Sequence, residues 1–401
     1  MEKFQFKRAE VLRGPFDPGG QPDTQTGQPM ELGFFAWNIK GGMTASKGVL
    51  TDPPRYQDFW HWDRATRLIQ LAEKIGFEYQ VPFARWIGQG GATDYNDSNI
   101  DFLTSAAAVA PLTDRLGLFS TAHVTYKFHP LHFAKFGATI DFISRGRWGL
   151  NIVTGYSARE QAAFGILDPI SHDEAYAMAD EFTTLLKYLW TEDDRIDFEG
   201  KYYQSYGAIV SPKPISRPRP VIMNAGNSDA GIDFACRQAD WLFVTAPTLE
   251  GYKARIEEAH SKASQYGRTV RAATMVYVIE DSTDERAQAT KRWLEDEVDS
   301  EATLNFIESM TRMSYADEFF KGGADTEDPY GGVGKEMFLR IALGIGAWQI
   351  IGSFETVAER IRELHEVGIE SILVCFFDPL GGLHHMEDSI LPIMKRMNLR
   401  N

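Results

Sequence analysis

Long apolar runs are absent from this chain of 401 residues. No stretch approaches the roughly 18 consecutive apolar residues of a membrane helix, so no spanning segment is expected. The opening "MEKFQFKRAEVLRG" scatters charge throughout and lacks the apolar block of a secretory signal. Cysteine is scarce: only Cys236 and Cys375 occur. Two isolated thiols make no disulfide scaffold; they suit a reducing cytoplasm and packing roles. Positive charge is in deficit, with 41 Lys and Arg against 56 Asp and Glu, a net −15 and no basic run. Nucleic acid and anionic membrane surfaces are therefore not expected partners.

Familiar motifs are missing too. "YGGVGKE" (330–336) puts Pro329 where a phosphate loop needs its first Gly, and Glu336 follows the Lys. No G-x-G-x-x-G follows a strand pattern, which leaves a Rossmann dinucleotide site unsupported, and no G-x-S-x-G elbow occurs. The His129/His132 and His384/His385 pairs come without a third ligand at metal spacing. Helix starts or pocket positions are the alternative use for them, and no metal is expected. There is no repeat at solenoid spacing.

What is present is alternation. Strand patterns at 31–37, 77–82, 116–124, 147–153, 220–226, 240–246, 270–278 and 369–377 interleave with helical patterns at 58–76, 100–114, 130–144, 172–190, 229–238, 249–266, 354–368 and 385–397. Strict β-α alternation implies a parallel sheet, and eight units over this length predict a closed (β/α)8 TIM barrel. Residues 1–29, rich in Gly, Pro, Gln and Thr, read as an irregular arm before a single barrel domain at 30–401. The stretch 282–350 is too long for one crossover. It reads as an insertion, a candidate lid or subunit contact, with a Gly-rich hinge at 322–334.

In such a barrel, chemistry gathers at the C-terminal ends of the strands. "NAGNSDAG" (224–231) sets small residues and Ser228 before a helix. That is either an anion site of free N–H groups or a plain Ser cap. Trp37, Phe83, Trp86, Tyr126, Phe128 and Tyr156 fall at strand ends, where they either sandwich a flat ring or pack the core. Asn151 interrupts the apolar run "WGLNIV", and a buried amide must find a hydrogen-bond partner. It is aimed at a ligand.

The ordered segment "ATIDFISRGRWGLNIVTGYSAREQAAFG" (138–165) resembles the bacterial luciferase-like flavin monooxygenases. It is closest to the branch of pyrimidine monooxygenase and dimethylsulfone monooxygenase. "GFEYQVPFARW", "SPKPISRPRPVIMNAGNSDAG" and "IIGSFETVAERIREL" support the resemblance across about 30–397. It implies a luciferase-like (β/α)8 barrel and a two-component enzyme. Reduced FMN comes from a separate NAD(P)H:flavin reductase, and O2 oxidises a small heteroaromatic, sulfone or halogenated aromatic compound through a flavin peroxide. By resemblance, Ala84, Arg85, Asn151, Glu160, Tyr176, Asn227 and Ser228 hold the flavin. Thr121 and Asn151 line the oxygen pocket and are the catalytic pair. Trp37, Phe83, Tyr126, Phe128 and Tyr156 would form the substrate pocket. A cytoplasmic homodimer or homotetramer is expected. The Arg that often precedes the phosphate-side Tyr is Ala175 here, and the loop "HVTYKFHPLH" is one residue longer than in the pyrimidine enzyme. Two other readings share the barrel: a deazaflavin-dependent hydride-transfer enzyme and a non-catalytic flavin-binding protein.

Overall fold

The computed structural model describes residues 6–51, 59–168, 170–310, 329–330 and 332–401. Twelve strands occur among them: β1 (Lys7–Ala9), β2 (Glu31–Phe35), β3 (Tyr79–Val81), β4 (Gly117–His123), β5 (Trp148–Val153), β6 (Ile196–Glu199), β7 (Gln204–Ala208), β8 (Val221–Asn224), β9 (Trp241–Phe243), β10 (Arg271–Asp281), β11 (Trp348–Ser353) and β12 (Ser371–Phe376). Strands β2, β3, β4, β5, β8, β9, β10 and β12 pair in parallel, and β10 closes the ring by pairing with both β9 and β12. This is the closed eight-stranded parallel barrel expected from the alternation.

Both faces of these strands are covered, so they are apolar almost throughout. Inside the barrel, Tyr79, Val81, Phe119, Met223, Trp241, Ala273 and Leu373 form a packed plug. The outer helices follow sequence signals. The helix Trp62–Ile75 stops at Gly76, whose φ of 104° lets its N–H reach back to Ala72 and Glu73 carbonyls. The helix Pro130–Ile143 starts with proline, and the His129 side chain accepts from the Leu131 N–H.

Three features differ from the sequence reading. Within the stretch 1–29, Lys7–Ala9 forms β1, which joins β6 and β7 in a small separate sheet. The stretch 282–350 holds the helices Asp284–Asp296, Ser300–Met310 and Lys335–Ala342, and its end begins β11. That strand lies along the second half of β10 as a ninth member outside the ring, pairing from Val276↔Trp348 to Asp281↔Ser353. The last helical region begins at Pro379 and changes to a π-helical turn at Met386–Ile390. Most of the expected hinge at 322–334 lies outside the described residues. No helix among the described residues is long and apolar enough to cross a membrane.

Candidate active site

A cavity of about 310 Å³ opens at the C-terminal mouth of the barrel. All eight barrel strands line it, through Phe35, Val81, Thr121, Asn151, Asn224, Phe243, Met275 and Leu373. Such convergence is what parallel closure produces, because every strand ends on the same side. The roof comes from the 282–350 stretch, with Phe306, Met310, Ile341 and Ile345–Ala347 facing in. Apolar walls carrying a few placed polar groups are the usual make-up of a small-molecule site.

One corner is polar. Thr121 and Asn151 are register partners on β4 and β5. The Asn151 Nδ2 donates to Thr121 Oγ1 at 3.4 Å. Asn151 Oδ1 is buried with no hydrogen-bond partner. An unmet carbonyl in an apolar wall costs about 1–3 kcal/mol until something donates to it. His123, two residues beyond Thr121 on β4, also lines the cavity. Burial pushes its imidazole pKa down to about 4, against a weaker pull upward from Glu160.

The opposite end is polar as well. Ser228 caps the helix Asp229–Gln238, its Oγ accepting from the Gly231 N–H, and it lies 3.0 Å from His172 Nε2. Burial pushes the Tyr176 hydroxyl pKa up to about 12, with Ser228 as its hydrogen-bonding neighbour. That hydroxyl sits where a side chain on Gly226 would begin: a Cβ there would lie 2.1 Å from it. Asn227 ties the ends of β8 and β9 together, its Oδ1 accepting from the Thr245 N–H at 3.1 Å. No lysine or arginine among the described residues lines the cavity, so no such cation replaces the Arg that Ala175 stands in for. His172 stands there instead. The sequence reading did not single it out; it is the first residue of the helix His172–Thr191.

Arg85 and Glu160 are behind the wall rather than on it. Both side chains are 2% exposed and 3.7 Å apart at their nearest charged atoms. Glu160 accepts from the Trp86 and Ile87 N–H groups at 2.7 and 3.2 Å, and from the Tyr126 hydroxyl at 2.7 Å. Burial works against its carboxylate, but Arg85 and these donors hold its pKa below the ordinary value. Arg85 in turn donates to the Tyr156 hydroxyl at 3.0 Å. Ala84 and Phe83 are thereby held at the cavity edge, helped by Asn38, whose side-chain amide accepts from the Phe83 N–H and donates to its carbonyl. Gly155 turns at φ +84°, where a Cβ would strike the Tyr126 ring at 2.7 Å.

Of the expected pocket aromatics, Phe83 and Tyr156 face the cavity and Trp37, Tyr126 and Phe128 do not. Ala36 at φ 57° turns the chain after β2, and Trp37 is fully buried, donating to Gln80 Oε1 at 2.6 Å. Tyr126 is committed to Glu160, and Phe128 packs on Trp86 and Phe133. One residue that the sequence did not single out joins the lining. Gln161 donates to the Gly155 carbonyl at 3.2 Å, while its Oε1 is buried without a partner.

Known proteins share this fold. The family profile of luciferase-like monooxygenases matches residues 30–371. The FMNH2-dependent dimethylsulfone monooxygenase of Pseudomonas putida is 29% identical over 373 residues, covering 92% of this chain and 96% of that protein. A pyrimidine monooxygenase of Enterobacter cloacae is 32% identical over 374 residues, covering 91% and 96%. The solved structure of a riboflavin lyase, with modified FMN and its substrate riboflavin, superposes with a TM-score of 0.80 over 93% of this chain and 92% of that one, at 22% identity. With a barrel whose mouth gathers residues from every strand, the chain belongs to the luciferase-like monooxygenase family.

Proposed function

We propose that this chain is the oxygenase of a two-component system: it takes reduced FMN from a separate NAD(P)H:flavin reductase and uses O2 to oxidise a small organic substrate. The observation that carries the reading is Asn151 Oδ1, a buried acceptor left open beside Thr121 on the wall of a cavity whose far end is an anion cradle. FMN fits that pair of demands, since its ring offers N–H groups and its tail a single phosphate. Ser228, Tyr176, Asn227 and the backbone around Gly226 would hold the phosphate end, with His172 as a further imidazole contact. Ala84, Phe83 and Tyr156 would border the ring, and Arg85 and Glu160 would fix those neighbours without touching it. Reduced FMN, when bound, supplies the two electrons that let one oxygen atom enter product while the other leaves as water. Thr121 and Asn151 contribute a hydroxyl and an amide N–H to an oxygen gaining negative charge, fixed in place before the reaction begins. The apolar roof keeps water away from that corner.

The reading includes a cytoplasmic setting, consistent with two unpaired buried thiols. It also includes self-association as a homodimer or homotetramer. Phe136, Phe142 and Ile143 are exposed on one helix and would suit such an interface.

The test is to supply the protein with FMN, a flavin reductase, NADH and ¹⁸O2 across a panel of sulfones, pyrimidines and halogenated aromatics. The expected result is product heavier by one labelled oxygen atom. Anaerobic turnover with deazaflavin, and none with FMN and O2, would replace this reading with hydride transfer.

A further inference from the structure

His123 is tied down on every side but one. Its ring stacks on Tyr126 at 4.7 Å, and Phe102 meets it edge to face at 5.4 Å. The Trp86 indole Nε1 donates to its Nδ1 at 3.2 Å. An indole nitrogen can only donate, so Nδ1 must be the bare nitrogen. The proton of the neutral ring is therefore on Nε2, and no described residue accepts from it. The residue nonetheless lines the cavity. Thr121 and His123 are two apart on β4, so they share a face, with His123 about 6–7 Å nearer the mouth. A fixed N–H donor thus stands in a mostly apolar wall, just outside the Thr121–Asn151 corner.

We propose that His123 orients the substrate, its Nε2–H donating to an acceptor atom such as a carbonyl, sulfone or ring-nitrogen lone pair, and so holds the bond to be oxidised against the Thr121–Asn151 corner. This rests on the monooxygenase reading of the same cavity and names its substrate class: uncharged molecules bearing one acceptor on an apolar body. The low imidazole pKa of about 4, set by burial, keeps the group a neutral donor through the neutral range. Its charged surroundings are Glu160, which favours the protonated ring, and Arg85, which opposes it.

Two probes of matched shape separate this role from packing. Acetophenone carries a carbonyl acceptor; α-methylstyrene replaces that oxygen with a methylene. Calorimetric titration of wild type, His123→Phe and His123→Gln, each with and without FMN, measures both affinities directly. Acetophenone should bind the Phe variant about tenfold more weakly, the scale of one hydrogen bond. It should recover to within about threefold of wild type in the Gln variant, which restores an N–H. α-Methylstyrene should bind all three proteins alike. Equal losses for both probes would reduce His123 to packing, and no change for either, or no binding of either to wild type, would overturn the proposal. FMN affinity is titrated separately on the same proteins. Failure of wild type to bind FMN would sink the monooxygenase reading, while the flavin-free titrations would still decide the role of His123.

Discussion

Asn151 illustrates how a residue can be costly to the protein alone and useful to its complex. Its Oδ1 is buried without a partner, and its Nδ2 has only a long bond to Thr121. An apolar group of similar shape removes that cost, so Asn151→Leu should leave the melting temperature unchanged or raise it, whereas Thr121→Val strips Asn151 Nδ2 of its one bond and should lower it. FMN affinity should stay within about tenfold, the scale of the one ring hydrogen bond that Asn151 would supply, because Ser228, Tyr176, Asn227, Phe83, Ala84 and Tyr156 are untouched. Oxygenated product should fall by about 10²–10³, the usual loss when one preorganised donor is removed, with hydrogen peroxide released in its place. Product at near wild-type yield from either variant would move the oxygen pocket elsewhere. Asn151 was legible in the sequence because an amide inside an apolar run has no cheap structural use. Glu160 and Arg85 were legible only as residues of the site. Their contacts are with each other and with Trp86, Tyr126 and Tyr156, long-range pairings that no local pattern displays. Trp37 misled because strand periodicity cannot foresee the left-handed Ala36 that turns it inward.

Elements were legible in proportion to how fully they are buried. The ring strands form near-continuous apolar runs, whereas β11 alternates between half-buried and buried positions at the edge of the ring and was read as the end of an insertion. In the small sheet, β6 and β7 pair locally, but β1 joins them only across about 190 positions, as in Lys7↔Ile196, and so had no local signal. Helix-to-strand contact depends on glycine in one place above all. Gly137, on the helix Pro130–Ile143, faces the Trp148 ring of β5; a Cβ there would lie 2.2 Å from Cη2. Trp148 cannot easily yield, since its indole N–H is bonded to Ser120 Oγ at 3.0 Å and Trp190 meets its ring at 5.9 Å. Gly137→Ala gains helix propensity of about 1 kcal/mol but must push the helix off the barrel. Overpacking of this kind costs about 1–3 kcal/mol, and the severity of the clash favours the upper part of that range. Urea denaturation should therefore show a net loss; a more stable variant would mean the helix moves outward freely.

At the scale of the whole molecule, the arm packs against the N-terminal ends of β8, β9 and β10 through Arg219, Asp240 and Arg271. Asp17 places its carboxylate among three cations that belong to distant parts of the chain: Lys187 Nζ at 2.9 Å, Arg219 Nη2 at 2.7 Å and Arg268 Nε at 2.7 Å. Asp240 supplies a second carboxylate, 2.7 Å from Arg219 Nη1. The composition of residues 1–29 announces a loop, but nothing local says that its Asp17 is the counter-ion of a buried cluster. Burial pushes Asp17 toward neutrality, yet Lys187, Arg219 and Arg268 together hold its pKa below the ordinary 3.8. Asp240, under the same opposition, is held at about 2. Asp17→Asn keeps the shape and removes the charge. Breaking a buried pair by deleting one partner costs about 3–5 kcal/mol. The pH dependence has a definite sign. A carboxylate with a depressed folded pKa stabilises fully above its unfolded value and loses that contribution as pH falls through the folded one. The gap between wild type and Asp17→Asn should therefore be level from neutral pH down to about 4 and close below it, as wild type loses the same charge by protonation. Denaturation series at stepped pH would measure the gap directly. A gap that widens with acid, or a variant as stable as wild type at neutral pH, would show that the arm is not held by this charge.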